Sequence, residues 1–310
     1  MNELELIARL APDLATGRGV VQGVGDDCAV LEAGWRGKHL LFKVDAVVEG
    51  IHFTRQAAPE QIGHKALGRA LSDIAAMAGT PTHALVTLAL PREFDPSYIE
   101  RIYRGLNALA ARHGVGVVGG ETTTNPERVL LSVALLGEVE AGKAILRRGA
   151  RPGDALMVTG ELGGSLAGKH LEFEPRLAEA RWLAAHFEIH AMIDLSDGLA
   201  SDLRHLLKAG GVGAELLAKA LPISRAARWR ARHLPGARAP LAAALEDGED
   251  YELLFAVPGR LAVKLADAWK SQFPALRLSC IGKVTSTPGV LLRETAGARP
   301  VTEHGYVHFA

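Results

Sequence analysis

The sequence predicts a two-domain α/β (α+β) protein, and three observations carry that expectation. Short apolar, β-branched runs alternate with segments of helical spacing along the whole chain. A polar Gly/Pro break, RRGARPGD at 147–154, interrupts the alternation near its midpoint. The chain has 310 residues, 48% hydrophobic and 23% charged, enough for two domains of about 150 residues each. The expected division is 1–146 and 147–310.

Each element has its own reason. Residues 2–10 alternate as a short amphipathic helix, stopped by Pro12 and by Gly17 and Gly19. Strands are expected at 28–31 and 39–48, both rich in branched residues. Over 59–77, Ile62, Ala66, Leu67, Ala70, Ile74 and Met77 recur on one helical face. A strand at 83–90, a helix at 96–112 and strands at 115–118 and 129–139 complete the first half. The second half reads as a strand at 155–159, a glycine turn, two helical stretches to about 187 and a strand at 191–194. A helix at 197–208, a strand at 251–257, a helix at 260–271 and strands at 276–284 and 289–293 follow. No repeat of 20–50 residues interrupts this order.

Composition excludes several functions. Thirty-five Lys and Arg balance thirty-five Asp and Glu, so no basic field exists to gather nucleic acid or an anionic membrane. Aromatics at 5% are too few for base-stacking platforms. Cys28 and Cys280 alone support neither a disulfide framework nor a zinc cluster, and a reducing cytoplasmic setting is expected. The acidic N-terminus does not read as a signal peptide, and no apolar run is long enough for a membrane helix.

The chemistry is written in carboxylates. Asp26 and Asp27, Asp45, Asp73, Glu121, Asp194 and Asp197, and the run 246–250 gather at turns, several directly after an apolar strand. Carboxylates at strand ends line crevices, and several that converge repel one another unless a cation lies among them. Oxygen ligands without His or Cys suit Mg²⁺ shared with substrate phosphates, which points to phosphoryl transfer. Each such residue can equally cap a helix or shape a turn, and Asp197 can simply cap the helix after it. At 193–199, IDLSDGL, the crowding of Asp194, Ser196 and Asp197 favours function.

Other motifs say less. Residues 163–169 match GxxxxGK, but His170 stands where a P-loop needs the hydroxyl that holds Mg²⁺, so a P-loop is rejected. Gly23-Val24-Gly25 lacks the third glycine of a dinucleotide fingerprint. Cys28 reads as core. Arg147 and Arg148 either clamp phosphate or solvate a loop.

Taken in order, eight segments resemble the thiamine-monophosphate kinase family, of the aminoimidazole ribonucleotide synthetase-like superfamily. They are GVGDDCAVL (23–31), VDAVVEGIHF (44–53), KALGRALSDIAAMAGTP (65–81), VVGGETT (117–123), RRGARPGD (147–154), IDLSDGLASDL (193–203), GEDYELLF (248–255) and GYVHF (305–309). The resemblance implies ATP-dependent conversion of thiamine monophosphate to thiamine diphosphate, Mg²⁺, and a homodimer paired through the N-terminal sheet. It also implies roles. Asp27, Asp45, Asp73, Glu121, Asp194 and Asp197 match metal ligands, with Asp27, Asp45, Asp73 and Asp197 at the catalytic centre. Tyr103, Gly120, Glu121, Arg147 and Ser196 match nucleotide positions, and His52, Glu249 and Tyr306 the substrate side.

The sequence departs from the family pattern in three places, one of them a pair of residues. Lys43-Val44 replaces a hydroxyl-bearing pair, Glu121 an aspartate and Ala70 an asparagine. Either the Lys43 ammonium replaces one of several Mg²⁺ ions amid Asp27, Asp45 and Asp73, or it turns outward and fewer ions bind. Two other functions stay open: an ATP-using enzyme of the same superfamily with another substrate, and a nucleotide-binding homologue without catalysis.

Overall fold

The computed structural model describes residues 3–13, 19–32, 34 and 37–306. Of the expected features, Gly17 and the Val307, His308 and Phe309 of the last motif lie outside the described residues. The first half comprises α1 (Glu3–Leu10), β1 (Val20–Gln22), β2 (Ala29–Glu32), β3 (Lys38–Val48) and α2 (Pro59–Ala76). It continues with β4 (Thr80–Leu90), α3 (Pro96–His113), β5 (Gly116–Thr124) and β6 (Leu130–Glu140). The second half comprises β7 (Asp154–Thr159), α4 (Lys169–Glu172), α5 (Leu177–His186), β8 (Ala191–Asp194), α6 (Leu199–Gly210) and β9 (Gly213–Leu217). Then come α7 (Arg225–His233), α8 (Pro240–Glu246), β10 (Leu253–Pro258), α9 (Ala262–Gln272), β11 (Leu278–Thr285), β12 (Gly289–Glu294) and β13 (Gly297–Pro300).

Each half builds one mixed sheet. The first has six strands in the order β1-β2-β3-β6-β4-β5, the second seven in the order β13-β12-β9-β11-β7-β10-β8. Side chains alternate across each strand, so pairing register fixes which residues share a face. Lys43 lies beside Leu135 and Ala84, and Asp45 beside Val133 and Val86, all on the face that α2 covers. One hydrophobic core runs from that face through α2 and α5 to Met157, Phe255 and Trp269 of the second half. A second core, with Leu156, Val158, Ile193 and Leu203, fills the other side of the seven-stranded sheet under α6.

The structure differs from expectation in several elements. β5 runs on through Gly119, Gly120 and Glu121, because it pairs in parallel with β4, Gly120 opposite Val86 and Glu121 opposite Thr87. A Cβ on Gly120 would stand 1.9 Å from the Val86 carbonyl oxygen, which explains a glycine there without any ligand. β1, β9, β13, α7 and α8 were not expected. α7, RAARWRARH, buries only Ala227, so its apolar pattern is too thin to read.

Candidate active site

Three elements from both halves bring three carboxylates together. Asp27 precedes β2, Asp73 lies in the last turn of α2, and Asp194 ends β8. All three are buried, and one oxygen of each lies within 4.8 Å of the others. The groups around them are mostly charged. Arg147 donates from Nη2 to Asp27 Oδ1 at 2.7 Å, and its backbone N–H reaches both Asp26 oxygens at 3.3 Å. Ser72 Oγ donates to Asp194 Oδ2 at 2.6 Å. Lys43 Nζ donates to Asp73 Oδ1 at 2.8 Å and stands 3.7 Å from Asp45 Oδ2. Arg69 Nη2 lies 3.6 Å from Asp45 Oδ1.

Burial sets the electrostatics. Desolvation, then the nearby Asp27 charge, pushes Asp194 up to about 7. Burial and then Asp27 likewise raise Asp26 to about 6. Desolvation drives Asp73 well above the carboxylate range, with Asp45, Asp194 and Asp27 adding to it and Lys43 opposing. Burial also disfavours ionised Asp45, but Lys43 and Arg69, with a hydrogen bond from Asp73, outweigh it and hold its pKa below 3.8. Asp73 and Asp194 therefore hold negative charge at a cost that a cation would relieve. With Asp27 they make an all-oxygen donor set that fits Mg²⁺.

Beside this cluster is a cleft of about 120 Å³ lined by His52, Arg69, Ser196, Asp197, Glu249 and Tyr306, among others. Its walls are braced from the backbone. Glu249 N–H donates to Ser196 O at 2.7 Å, and Tyr306 N–H to Asp197 O at 2.9 Å. His52 Nδ1 accepts from Val48 N–H at 3.1 Å. Glu249 and Tyr251 adopt left-handed φ of 61° and 50°, a strained backbone for residues with side chains. The fully buried Lys65 holds Glu249 Oε2 at 2.6 Å, and Tyr251 stacks on Phe173 at 3.9 Å between ring centroids. Asp202 accepts from the N–H groups of Asp197 and Gly198, both at 3.1 Å, and fixes the start of α6.

The structure thus gathers Asp27, Asp73 and Asp194 with Arg147, and Ser196, Asp197, His52, Glu249 and Tyr306 in the adjoining cleft. Asp45 lies against Lys43 and Arg69, outside the group of three. Glu121, with Gly120 before it, is not brought there. It registers with Thr87, Ser132 and Ala46, on the opposite face of the sheet from Asp45. Tyr103 is half-buried on α3 against the first core, and no described hydrogen bond or ion pair ties it to the carboxylates. The rejected P-loop is occupied by the protein itself: Gly163 N–H donates to Asp250, Gly164 N–H to Asp247, and Lys169 Nζ reaches Glu252 at 2.7 Å. Arg148 lines a separate groove of about 800 Å³, with Lys143 and Arg181, that holds none of the clustered carboxylates.

Sequence reasoning passed over Lys65, Arg69 and Asp202. Lys65, Arg69, Ser72 and Asp73 recur at intervals of four, three and one in the otherwise apolar stretch 65–76 of α2. That polar stripe on one face was the available signal.

The two halves, joined at a seam of clustered carboxylates, match the class of AIR synthase related proteins. The N-terminal domain model of that group matches residues 25–139 and its C-terminal domain model residues 151–292. The thiamine-monophosphate kinase of Rhodopirellula baltica is 39% identical over 300 residues, covering 93% of this chain and 92% of its own. That of Bacillus subtilis is 33% identical, with both chains covered in full. A solved structure of AaThiL complexed with AMPPCP and TMP superposes with a TM-score of 0.84 at 32% identity, covering 99% of this chain and 97% of that one. The chain belongs to the thiamine-monophosphate kinase family.

Proposed function

We propose that the protein transfers the γ-phosphoryl group of ATP to the phosphate of thiamine monophosphate, giving thiamine diphosphate. The observation that carries this reading is the meeting of Asp27, Asp73 and Asp194 from both halves beside the Glu249 cleft. Those three carboxylates would hold Mg²⁺, with Asp197 at the rim. A divalent ion there neutralises charge between two polyanions that otherwise repel. Arg147, fixed on Asp27, and Ser196, at the junction of β8 and α6, are assigned to the nucleotide phosphates. The acceptor is itself an ionised phosphate at neutral pH, so the protein needs no strong base and works by positioning.

The cleft is far smaller than the roughly 300–1,000 Å³ of sites that enclose a whole ligand. It suits one ring of the acceptor and leaves the nucleotide to the open side. His52, Glu249 and Tyr306 are assigned to that ring, with the Glu249 carboxylate facing the thiazolium cation or the aminopyrimidine. The left-handed backbone at Glu249 and its clamp by Lys65 fix that carboxylate in place.

The proposal includes a cytoplasmic setting, division of labour between residues 1–146 and 147–310, and a homodimer. No helix among the described residues is long and apolar enough to cross a membrane. The dimer would form on the uncovered face of the six-stranded sheet, where Phe42, Val44 and Leu85 lie open to solvent. Incubation with ATP, Mg²⁺ and thiamine monophosphate, with product separated chromatographically, tests the reaction. Wild type should form thiamine diphosphate and Asp73→Asn at least about 100-fold less. Absence of product from wild type would refute the substrate.

A further inference from the structure

We propose that the Lys43 ammonium is a resident cation that occupies, between Asp45 and Asp73, the place of a divalent ion. Lys43 and Asp45 are two apart on β3 and so project from the same face, beneath the last turn of α2 that carries Asp73. Lys43 does not turn outward. Its side chain crosses a row whose neighbours are Leu135 and Ala84, and its amine ends 2.8 Å from Asp73 and 3.7 Å from Asp45. A divalent ion bound to both carboxylates would sit about 2.1 Å from each. An ammonium already in hydrogen-bond contact with one of them and facing the other leaves no room for it.

Charge tells the same story from the other side. Asp45 is met by two fixed cations, Lys43 and Arg69, and so has little left to offer a metal. Asp27 is met by Arg147, whereas the Asp194 side chain accepts its hydrogen bond from neutral Ser72. Lys43 is shared by Asp45 and Asp73, so the carboxylate left facing only a neutral donor is Asp194, on the side of Asp27 and Asp73 and away from Asp45. The protein has divided its carboxylates between a tethered cation and an exchangeable one. A tethered cation cannot be removed by a chelator, so that part of the site stays assembled without metal.

The inference rests on reading the cluster as a divalent-ion site, but not on thiamine monophosphate as the substrate. Mn²⁺ serves as the probe, in two measurements that involve no turnover. Equilibrium dialysis of wild type and Lys43→Ser, each with saturating AMPPCP, should show one more Mn²⁺ per chain in the variant. Its melting temperature should also fall further than that of wild type on adding EDTA. Equal ion counts in the two proteins overturn the proposal. Should Lys43→Ser not fold, the anomalous map of wild-type crystals soaked in Mn²⁺ decides alone. Density beside Asp27, Asp73 and Asp194 with none ligated by Asp45 supports the inference, and Mn²⁺ ligated by Asp45 overturns it.

Discussion

Asp194 ends a four-residue strand in which every residue is buried, and it meets Asp27 there before any ligand arrives. Its pKa of about 7 lies above the unfolded value of 3.8. A carboxyl raised in this way stabilises the fold most below about pH 4, and that contribution is lost as pH climbs to about 7. Metal-free protein should therefore lose stability between those limits, and Mg²⁺ should restore it at pH 8. Asp194→Asn keeps an acceptor for Ser72 but removes the charge. Without metal at pH 8 it should be more stable than wild type by roughly 1–3 kcal/mol, one pKa unit being worth about 1.4. Its activity should fall at least about 100-fold. Calorimetry in EDTA beside the product assay checks both, and a variant less stable than wild type at pH 8 would refute the electrostatic account. The sequence made the acidic positions legible because charge beside an apolar strand has few uses. Which carboxylates meet was not legible, since strand pairing turns Asp45 toward α2, where Lys43 and Arg69 take it, and Glu121 to the opposite face.

At the scale of elements, α2 and α3 cross with their backbones in contact. A Cβ on Gly105 would stand 1.8 Å from the Glu60 carbonyl oxygen, and one on Gly63 would stand 1.9 Å from that of Ile102. Gly105→Ala gains about 1 kcal/mol of helix propensity. It must also push two helices apart, an overpacking cost of roughly 1–3 kcal/mol or more. The clash should win, with a net loss of about 2 kcal/mol in urea unfolding. Unchanged or increased stability would show that the helices separate freely. Long apolar elements such as α2, β4 and β6 could be read from period alone. β9 could not, because five residues after a glycine turn carry too little pattern, and β5 ran past expectation because its glycines serve pairing with β4.

For the whole molecule, the uncovered face of the six-stranded sheet matters most. Val44 is 61% exposed, Val118 62% and Leu85 49%, and Val44, Ala134 and Leu85 form one row across β3, β6 and β4. If this face is the dimer interface, Val44→Asp should give a monomer by analytical ultracentrifugation. Its far-ultraviolet circular dichroism should stay unchanged, because the side chain touches no core within one chain. A dimer of undiminished affinity would place the interface elsewhere. That no helix among the described residues is long and apolar enough to cross a membrane was readable from composition. The continuity of one core from β6 to Trp269 was not, because it depends on how α2 and α5 bridge the two halves. That bridge also bears on how the chain can diverge. From Ile62 onward every residue of α2 is buried or half-buried, so little of it can drift neutrally. A lineage retuning its ionic requirements would be expected to change the strand opposite, where Lys43 stands, more freely than this helix, where Ala70 is the departure.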